Sequence, residues 1–230
     1  RGTVQGDAIV VNGTKMWISG AAVADYIMTA CRTDPEAKRH DGISLLLVPR
    51  ATAGVAVTPI DLLGGHAIRT CEVNYVDAAV PADLLVGELH SGWKRLLTVL
   101  DKERIALAAM CVGAAQSAID LAREYCVQRE QFGRRLSAFQ AVSHKLVDMQ
   151  VQVDAARLLV YHAARTLQAG LPCVRQASSA KLFAAETYMK VAIEGVQVMG
   201  ANGYSMEYAM QRHFREAKLF QIFGGTSEIQ

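Results

Sequence analysis

One carboxylate stands where it could take a proton. Glu103 lies in Asp101-Lys-Glu-Arg104, with a basic residue on each side. A glutamate in such a cluster is ordinarily a solvated or edge position on a helix. Yet Leu96, Leu100, Glu103, Leu107 and Met110 follow spacings that a helix turns to one face. Glu103 therefore needs a second, independent signal before it is read as a base. Other chemistries find no pattern. The five cysteines are widely spaced and include no Cys-x-x-Cys pair, which argues against a disulfide framework or a zinc knuckle and for a reducing compartment. The six histidines lack metal-ligand spacing, so no metal site is expected.

The elements that must carry these residues fall into two grammars. Residues 1–88 read as a β domain. Ala8-Ile-Val-Val11 is a β-branched run, Asn12-Gly13 reads as a tight hairpin turn, and Lys15-Met-Trp-Ile18 returns. Tyr26–Cys31, Ile43–Val48, Val55–Val57 and Cys71–Val76 add strands, and turn signals at regular intervals suggest a small barrel-like domain. Residues 89–230 read as helical. A long amphipathic helix covers Trp93 to about Gln128, and Phe132-Gly133 breaks it. Val142, Leu146, Met149, Val153, Ala156, Val160, Ala163 and Leu167 alternate steps of four and three, the seam of an antiparallel bundle. Gly170-Leu-Pro172 stops that helix. Another spans Val174–Met199, Gly200–Gly203 is a turn, and a shorter helix covers Glu207 to Phe220 before Gly224-Gly225. The fold class expected is α+β.

Half of the 230 residues are hydrophobic, enough for real cores. A net charge of +2 with scattered basic residues gives no nucleic-acid surface. The apolar runs are too short to suggest a membrane span. The chain opens on Arg1-Gly-Thr3 and stops at Ser227-Glu-Ile-Gln230, so a piece of a longer protein is expected.

Several stretches, in order, carry a resemblance. Met16-Trp-Ile-Ser19, Gln128-Arg-Glu-Gln-Phe-Gly133, Phe139-Gln140, Val196-Gln-Val-Met-Gly-Ala-Asn-Gly-Tyr204, Arg215-Glu-Ala-Lys218 and Ile222-Phe-Gly-Gly-Thr-Ser-Glu-Ile-Gln230 are similar to the acyl-CoA dehydrogenase family. They cover essentially the whole chain, without that family's N-terminal helical domain and last helix. The resemblance implies an FAD-dependent oxidoreductase of fatty acid metabolism that converts an acyl-CoA thioester to the trans-2-enoyl-CoA. Trp17, Ile18 and Ser19 resemble the residues beside the flavin ring. Arg129 and Phe132 resemble a pair that reaches the FAD of a neighbouring subunit, where an Arg fork suits a diphosphate. Gln140, Gln197, Gly200, Ala201, Thr226 and Glu228 resemble further cofactor contacts, the small residues letting backbone approach a phosphate.

The same resemblance supplies the second signal for Glu103. Most members carry the catalytic glutamate in a Tyr-Glu-Gly-Thr segment, which here reads Phe223-Gly-Gly-Thr226 with Gly224 at the glutamate's place. The long-chain and isovaleryl-type branches take the base instead from an earlier Glu-Arg pair, which Asp101-Lys-Glu-Arg104 resembles. Loss at one position and gain at the other make Glu103 the expected base. Asp101 and Arg104 are the expected substrate-side residues, with local charge pairing to Lys102 or its neighbours as their simpler reading. His144-Lys145 and Gly203–Tyr208 lean toward the long-chain type. The resemblance also implies a homotetramer, an electron-transfer flavoprotein as acceptor, and a bacterial cytoplasm or mitochondrial matrix as location. Two rivals are a non-catalytic flavin-binding relative and a dehydrogenase of a carrier-protein-bound, terpenoid or sterol thioester.

Overall fold

Alternating apolar residues build the first part of the chain. The computed structural model describes all of residues 1–230, in two compact units, residues 1–99 and 100–230. The first holds strands β1 (Gly2–Gln5), β2 (Ala8–Ser19), β3 (Tyr26–Arg32), β4 (Ile43–Pro49), β5 (Val55–Pro59) and β6 (Thr70–Pro81). They form a four-stranded antiparallel sheet, ordered β1-β2-β6-β5, and a two-stranded sheet of β3 and β4. One core joins both sheets through Ile9, Val11, Ile27, Leu46, Val48, Val73 and Val80. No barrel closes, because β3 and β4 ladder only with each other.

Strand β2 departs from the sequence reading. Asn12-Gly13 does not reverse the chain. The two-residue turn is Gly6-Asp7, with Gly6 at φ 59°, and it joins β1 to β2. Asn12 instead ties β2 to β6: its Nδ2 donates to Asp77 Oδ1 at 2.9 Å, and its Oδ1 accepts from the Asp77 N–H at 2.8 Å. The β2–β6 ladder breaks twice, once with an extra residue on β6 near Asp77 and once with an extra residue on β2 between Lys15 and Ile18. Asp77 at φ 48° and Trp17 at φ 64° sit at these two bulges. Beyond the second bulge the ladder regains its original register.

Helices dominate the rest: α1 (Gly92–Gln128), which begins within the first unit, α2 (Gln140–Gln168), α3 (Val174–Met199), the single turn α4 (Ala201–Tyr204) and α5 (Met210–Phe220). A two-strand hairpin, β7 (Glu130–Gln131) and β8 (Arg134–Arg135), separates α1 from α2. Helix α1 buries Ala108, Cys111, Ala115, Ala118 and Ala122. Met110, expected on the inner stripe, is 56% exposed, because the small-residue face turns inward instead. One 18-residue window of α1 is long and apolar enough to cross a membrane, with mean hydropathy 1.6, but half of it is buried inside the protein. The α2 seam behaves as expected: Met149, Val153, Ala156, Val160 and Ala163 are buried.

Helix α3 is the centre of the second unit. Ala177, Ala180, Ala184, Ala185 and Ala192 are buried along it, small enough for neighbours to approach closely. Tyr188 and His213 form a buried polar pair from α3 to α5, Oη to Nδ1 at 3.0 Å. Burial, reinforced by Arg212 and opposed by Glu216, pushes His213 below its ordinary value of 6.5.

Two outcomes are expected. The folded state holds His213 neutral, so its contribution is fully present above pH 6.5 and is lost as pH falls through the lower, folded-state value. The urea midpoint should therefore drop as pH is lowered below 6.5, and His213→Gln should flatten that limb. In the first unit, Leu46 has no exposed surface; Leu46→Ala should cost about 2–5 kcal/mol in equilibrium unfolding.

Candidate active site

The first turns of α1 in the second unit carry Asp101, Glu103 and Arg104. Helical spacing brings Arg104 back onto Asp101, and its Nη1 donates to Asp101 Oδ1 at 3.0 Å. The other carboxylate oxygen of Asp101 faces the Cys173 thiol at 3.7 Å. Burial, then the Asp101 charge and hydrogen bond, pushes that thiol up. Asp101 thus spends both oxygens inside the protein, as the charge-pairing reading of these two residues has it. Glu103 has no such partner and projects exposed from α1.

What faces Glu103 is the loop after α5. Gly224 and Gly225 have φ of 62° and 90°, left-handed backbone that glycine adopts without strain. A Cβ added at Gly224 would overlap Leu107 Cδ1 and lie 4.0 Å from Glu103 Oε1. A side chain at residue 224 would therefore start in the space that the Glu103 carboxylate borders. Two distant sequence positions converge on one point.

The same loop is tied down from α3. Lys181 has no exposed surface, and its Nζ donates to Gly225 O at 2.6 Å. Glu186 Oε1 accepts from Ser227 Oγ at 2.8 Å. The Ser227 N–H reaches Gln221 O at 2.9 Å, and Gln230 Nε2 reaches Gly224 O at 3.3 Å and Gly225 O at 3.1 Å. Burial pushes the Lys181 ammonium down, while Cys111, Glu186 and Glu228 oppose the shift and Arg104 adds to it. Its own backbone N–H and the Thr226 hydroxyl hold the Glu228 carboxyl below its usual range. Sequence reasoning passed over Lys181 and Glu186. The signal was present: Lys181 interrupts an alanine stripe, Ala177 to Ala184, where a cation is retained only with a buried acceptor.

The remaining expected residues lie at exposed turns. Phe132-Gly133 is the two-residue turn of the β7–β8 hairpin, with φ 54° and 74°. Helix α1 already ends at Gln128. Phe132 is 93% exposed at the hairpin tip, Arg129 lies exposed at its base and Gln140 is the exposed first residue of α2. Gln197, Gly200 and Ala201 line the exposed junction of α3 and α4. Nothing stands within 4 Å of where a Cβ would sit at Gly200, so the backbone there is open to close approach. Gly203 is buried and packs on the end of α3.

In the first unit, Trp17 is 63% exposed. It occupies the β2 bulge at a positive φ that costs a non-glycine residue about 1–3 kcal/mol. A buried strand tryptophan, the simpler reading, is not what the chain builds. Ile18 turns back toward the core, and Ser19 Oγ lies 3.3 Å from Thr70 Oγ1.

Comparison with known proteins identifies the family and the fold. The acyl-CoA dehydrogenase middle-domain pattern matches residues 2–78, and the C-terminal-domain pattern matches residues 90–230. An acyl-CoA dehydrogenase of Bacillus subtilis (strain 168) is 40% identical over 222 residues, covering 96% of this chain and 58% of the relative. The mitochondrial short/branched chain specific acyl-CoA dehydrogenase of Bos taurus is 38% identical over 231 residues, covering 100% of this chain and 53% of the relative. The structure of butyryl-CoA dehydrogenase from Megasphaera elsdenii superposes with a TM-score of 0.95 at 39% identity, covering 99% of this chain and 60% of that one. The chain therefore spans little more than half the length of such relatives, and it belongs to the acyl-CoA dehydrogenase family.

Proposed function

We propose that the parent protein is an FAD-dependent acyl-CoA dehydrogenase in which Glu103 removes the α proton of an acyl thioester. The observation that carries this reading is the 4.0 Å between Glu103 Oε1 and the place where a side chain at residue 224 would begin. Most family members set their base at that loop position. Here the loop has given up its side chain, and α1 presents a carboxylate to the same space. A non-catalytic relative would have no reason to keep the two positions complementary.

The chain's own residues suit the cofactor. Arg129 offers an exposed guanidinium for a diphosphate, Phe132 offers an exposed aromatic face, and Gly200 leaves backbone accessible. With Trp17, Ile18, Ser19, Gln140, Gln197, Ala201, Thr226 and Glu228, they would hold FAD. Bound there, FAD would accept the β hydride. Glu103 would hold the α proton, and the α1 helix would fix its Cα by backbone hydrogen bonds. Asp101 and Arg104, paired with each other, would brace the turn of α1 that carries the base and border the CoA moiety. The base position follows the long-chain and isovaleryl-type branches. The relatives' names add short and branched acyl groups to the candidate substrates. Electrons would leave to an electron-transfer flavoprotein.

A homotetramer is the assembly proposed. Its support is an apolar line on the outer face of α2, where Val147, Val151, Leu158 and Tyr161 are 59%, 61%, 71% and 57% exposed. This line lies across the helix from the buried seam, and such a patch usually marks an interface. A hairpin tip as exposed as Phe132 also fits a residue that serves a neighbouring subunit.

Two outcomes are expected of the full-length parent. Mixed anaerobically with acyl-CoAs from butyryl to palmitoyl and isovaleryl, the wild type should lose its flavin absorbance. Glu103→Gln should bleach about 10²–10⁴-fold more slowly with its FAD content unchanged; equal rates would place the base elsewhere. By analytical ultracentrifugation, Leu158→Glu should shift the parent from a tetramer to smaller species; an unchanged mass would remove α2 from the interface.

A further inference from the structure

We propose that Lys181 is a positioning residue for this reaction: its buried ammonium holds the Gly224–Gly225 turn against Glu103. The inference rests on the reading of Glu103 as base. It starts from an anomaly of burial. A lysine with no exposed surface, on a helix face otherwise lined by alanine, pays a desolvation cost that only a good acceptor offsets. The acceptor is a main-chain carbonyl, Gly225 O, at 2.6 Å. The surrounding charges are Glu186 and Glu228 on the acidic side and Arg104 on the basic side.

The turn needs this contact. Two consecutive glycines at φ 62° and 90° give the chain the most backbone freedom to lose at this point. A trans peptide points its C=O and its N–H in opposite directions. Fixing Gly225 O on Lys181 therefore also turns the Thr226 N–H away from α3. Ser227 Oγ on Glu186 repeats the tie two residues later, again from α3. Gly224 is thereby kept so close to α1 that even one added carbon would overlap Leu107 and reach 4.0 Å from Glu103 Oε1. The turn is one wall of the space in which the carboxylate works. Lys181 acts through that wall and does not touch the reacting atoms. A displacement of about 1 Å in such a wall typically costs about 10²-fold in rate.

The test compares wild type, Glu103→Gln and Lys181→Met in the full-length, FAD-loaded parent. Met keeps the volume and removes the donor. Each protein is mixed anaerobically with the acyl-CoA that bleaches the wild type fastest. Flavin content, melting temperature, substrate Kd and hydrogen exchange over residues 221–230 are recorded alongside. Lys181→Met should bleach about 10²-fold more slowly at unchanged Kd and flavin content, with faster exchange confined to 221–230. Lys181→Gln, which keeps an N–H donor, should recover at least about tenfold of that loss. If Lys181→Met bleaches like wild type while Glu103→Gln is inert, the base stands and the role of Lys181 is overturned. It is equally overturned if Lys181→Met only melts earlier and loses flavin, with an unchanged rate per bound flavin. If Glu103→Gln matches wild type, the base reading falls and takes this inference with it. Where Lys181→Met does not fold, Lys181→Gln is read in its place, a wild-type rate constant and exchange pattern counting against the role and a slowed rate constant with faster exchange over 221–230 counting for it.

Discussion

A buried ammonium must find an acceptor, and the acceptor it finds decides where a loop can lie. In the second unit that ammonium is Lys181 and the acceptor is the Gly225 carbonyl. The contact links the central helix to the segment that carries Gly224, Thr226 and Glu228. Helix α3 can take this role because its alanines let other elements pack closely around it. Removing a partner from a buried charge is more costly than never having buried it. The loop after α5 is therefore held by an interaction that resists partial loosening, which is what a wall beside the proposed base would need.

The proposed exchange of roles between residues 103 and 224 would have a simple chemical logic. A base on a loop takes its position from the loop's conformation. A base on α1 takes it from a helix whose backbone hydrogen bonds are made on both sides. With the base on the helix, a small residue on the loop would leave that carboxylate room, and glycine is the smallest. Leu107, one helical turn after Glu103, fills the space where a larger residue 224 would have gone. Residue 224 and the α1 face that carries Leu107 and Glu103 are thus sterically coupled.

Much of the fold was legible in the sequence because periodicity reports burial directly. The α2 seam, alternating steps of four and three, was buried as read from Met149 to Ala163, with Val142, Leu146 and Leu167 half-buried at its ends. Signals that depend on local turn chemistry were less secure. Asn12-Gly13 has the residues of a hairpin turn, but pairing with β6 captured both polar atoms of the Asn12 side chain and kept the strand running. Met110 lost its expected place to smaller residues, since the closely packed bundle favours alanine and cysteine on the inner face of α1. At the candidate site, Glu103 and Gly224 were readable as a pair. Their proximity was not, because 120 residues of chain separate them and tertiary packing on α3 brings the loop back. Lys181 was hidden for the opposite reason: a lysine in a helix is too ordinary to notice until its burial is known.

The paired bulges of β2 and β6 have a consequence for how this strand can change. Each bulge shifts by one the numbering of its own strand's inward residues: on β6 Cys71, Val73 and Tyr75 are followed by Ala78 and Val80, and on β2 Ile9 and Val11 are followed by Ile18. Here one strand's surplus residue is cancelled by the other's a few positions later, so Ile18 and Ser19 pair with β6 in the same register as Ala8 to Val11. Only the short stretch between the two irregularities is offset. Tyr75 is buried there, and the exposed Trp17 closes it. Deleting Trp17 would restore plain alternation from Lys15 through Met16 to Ile18, leave Ile18 opposite Cys71, and erase only the protruding indole. The tryptophan is in this sense a detachable insertion: the ladder is built to accommodate it without depending on it.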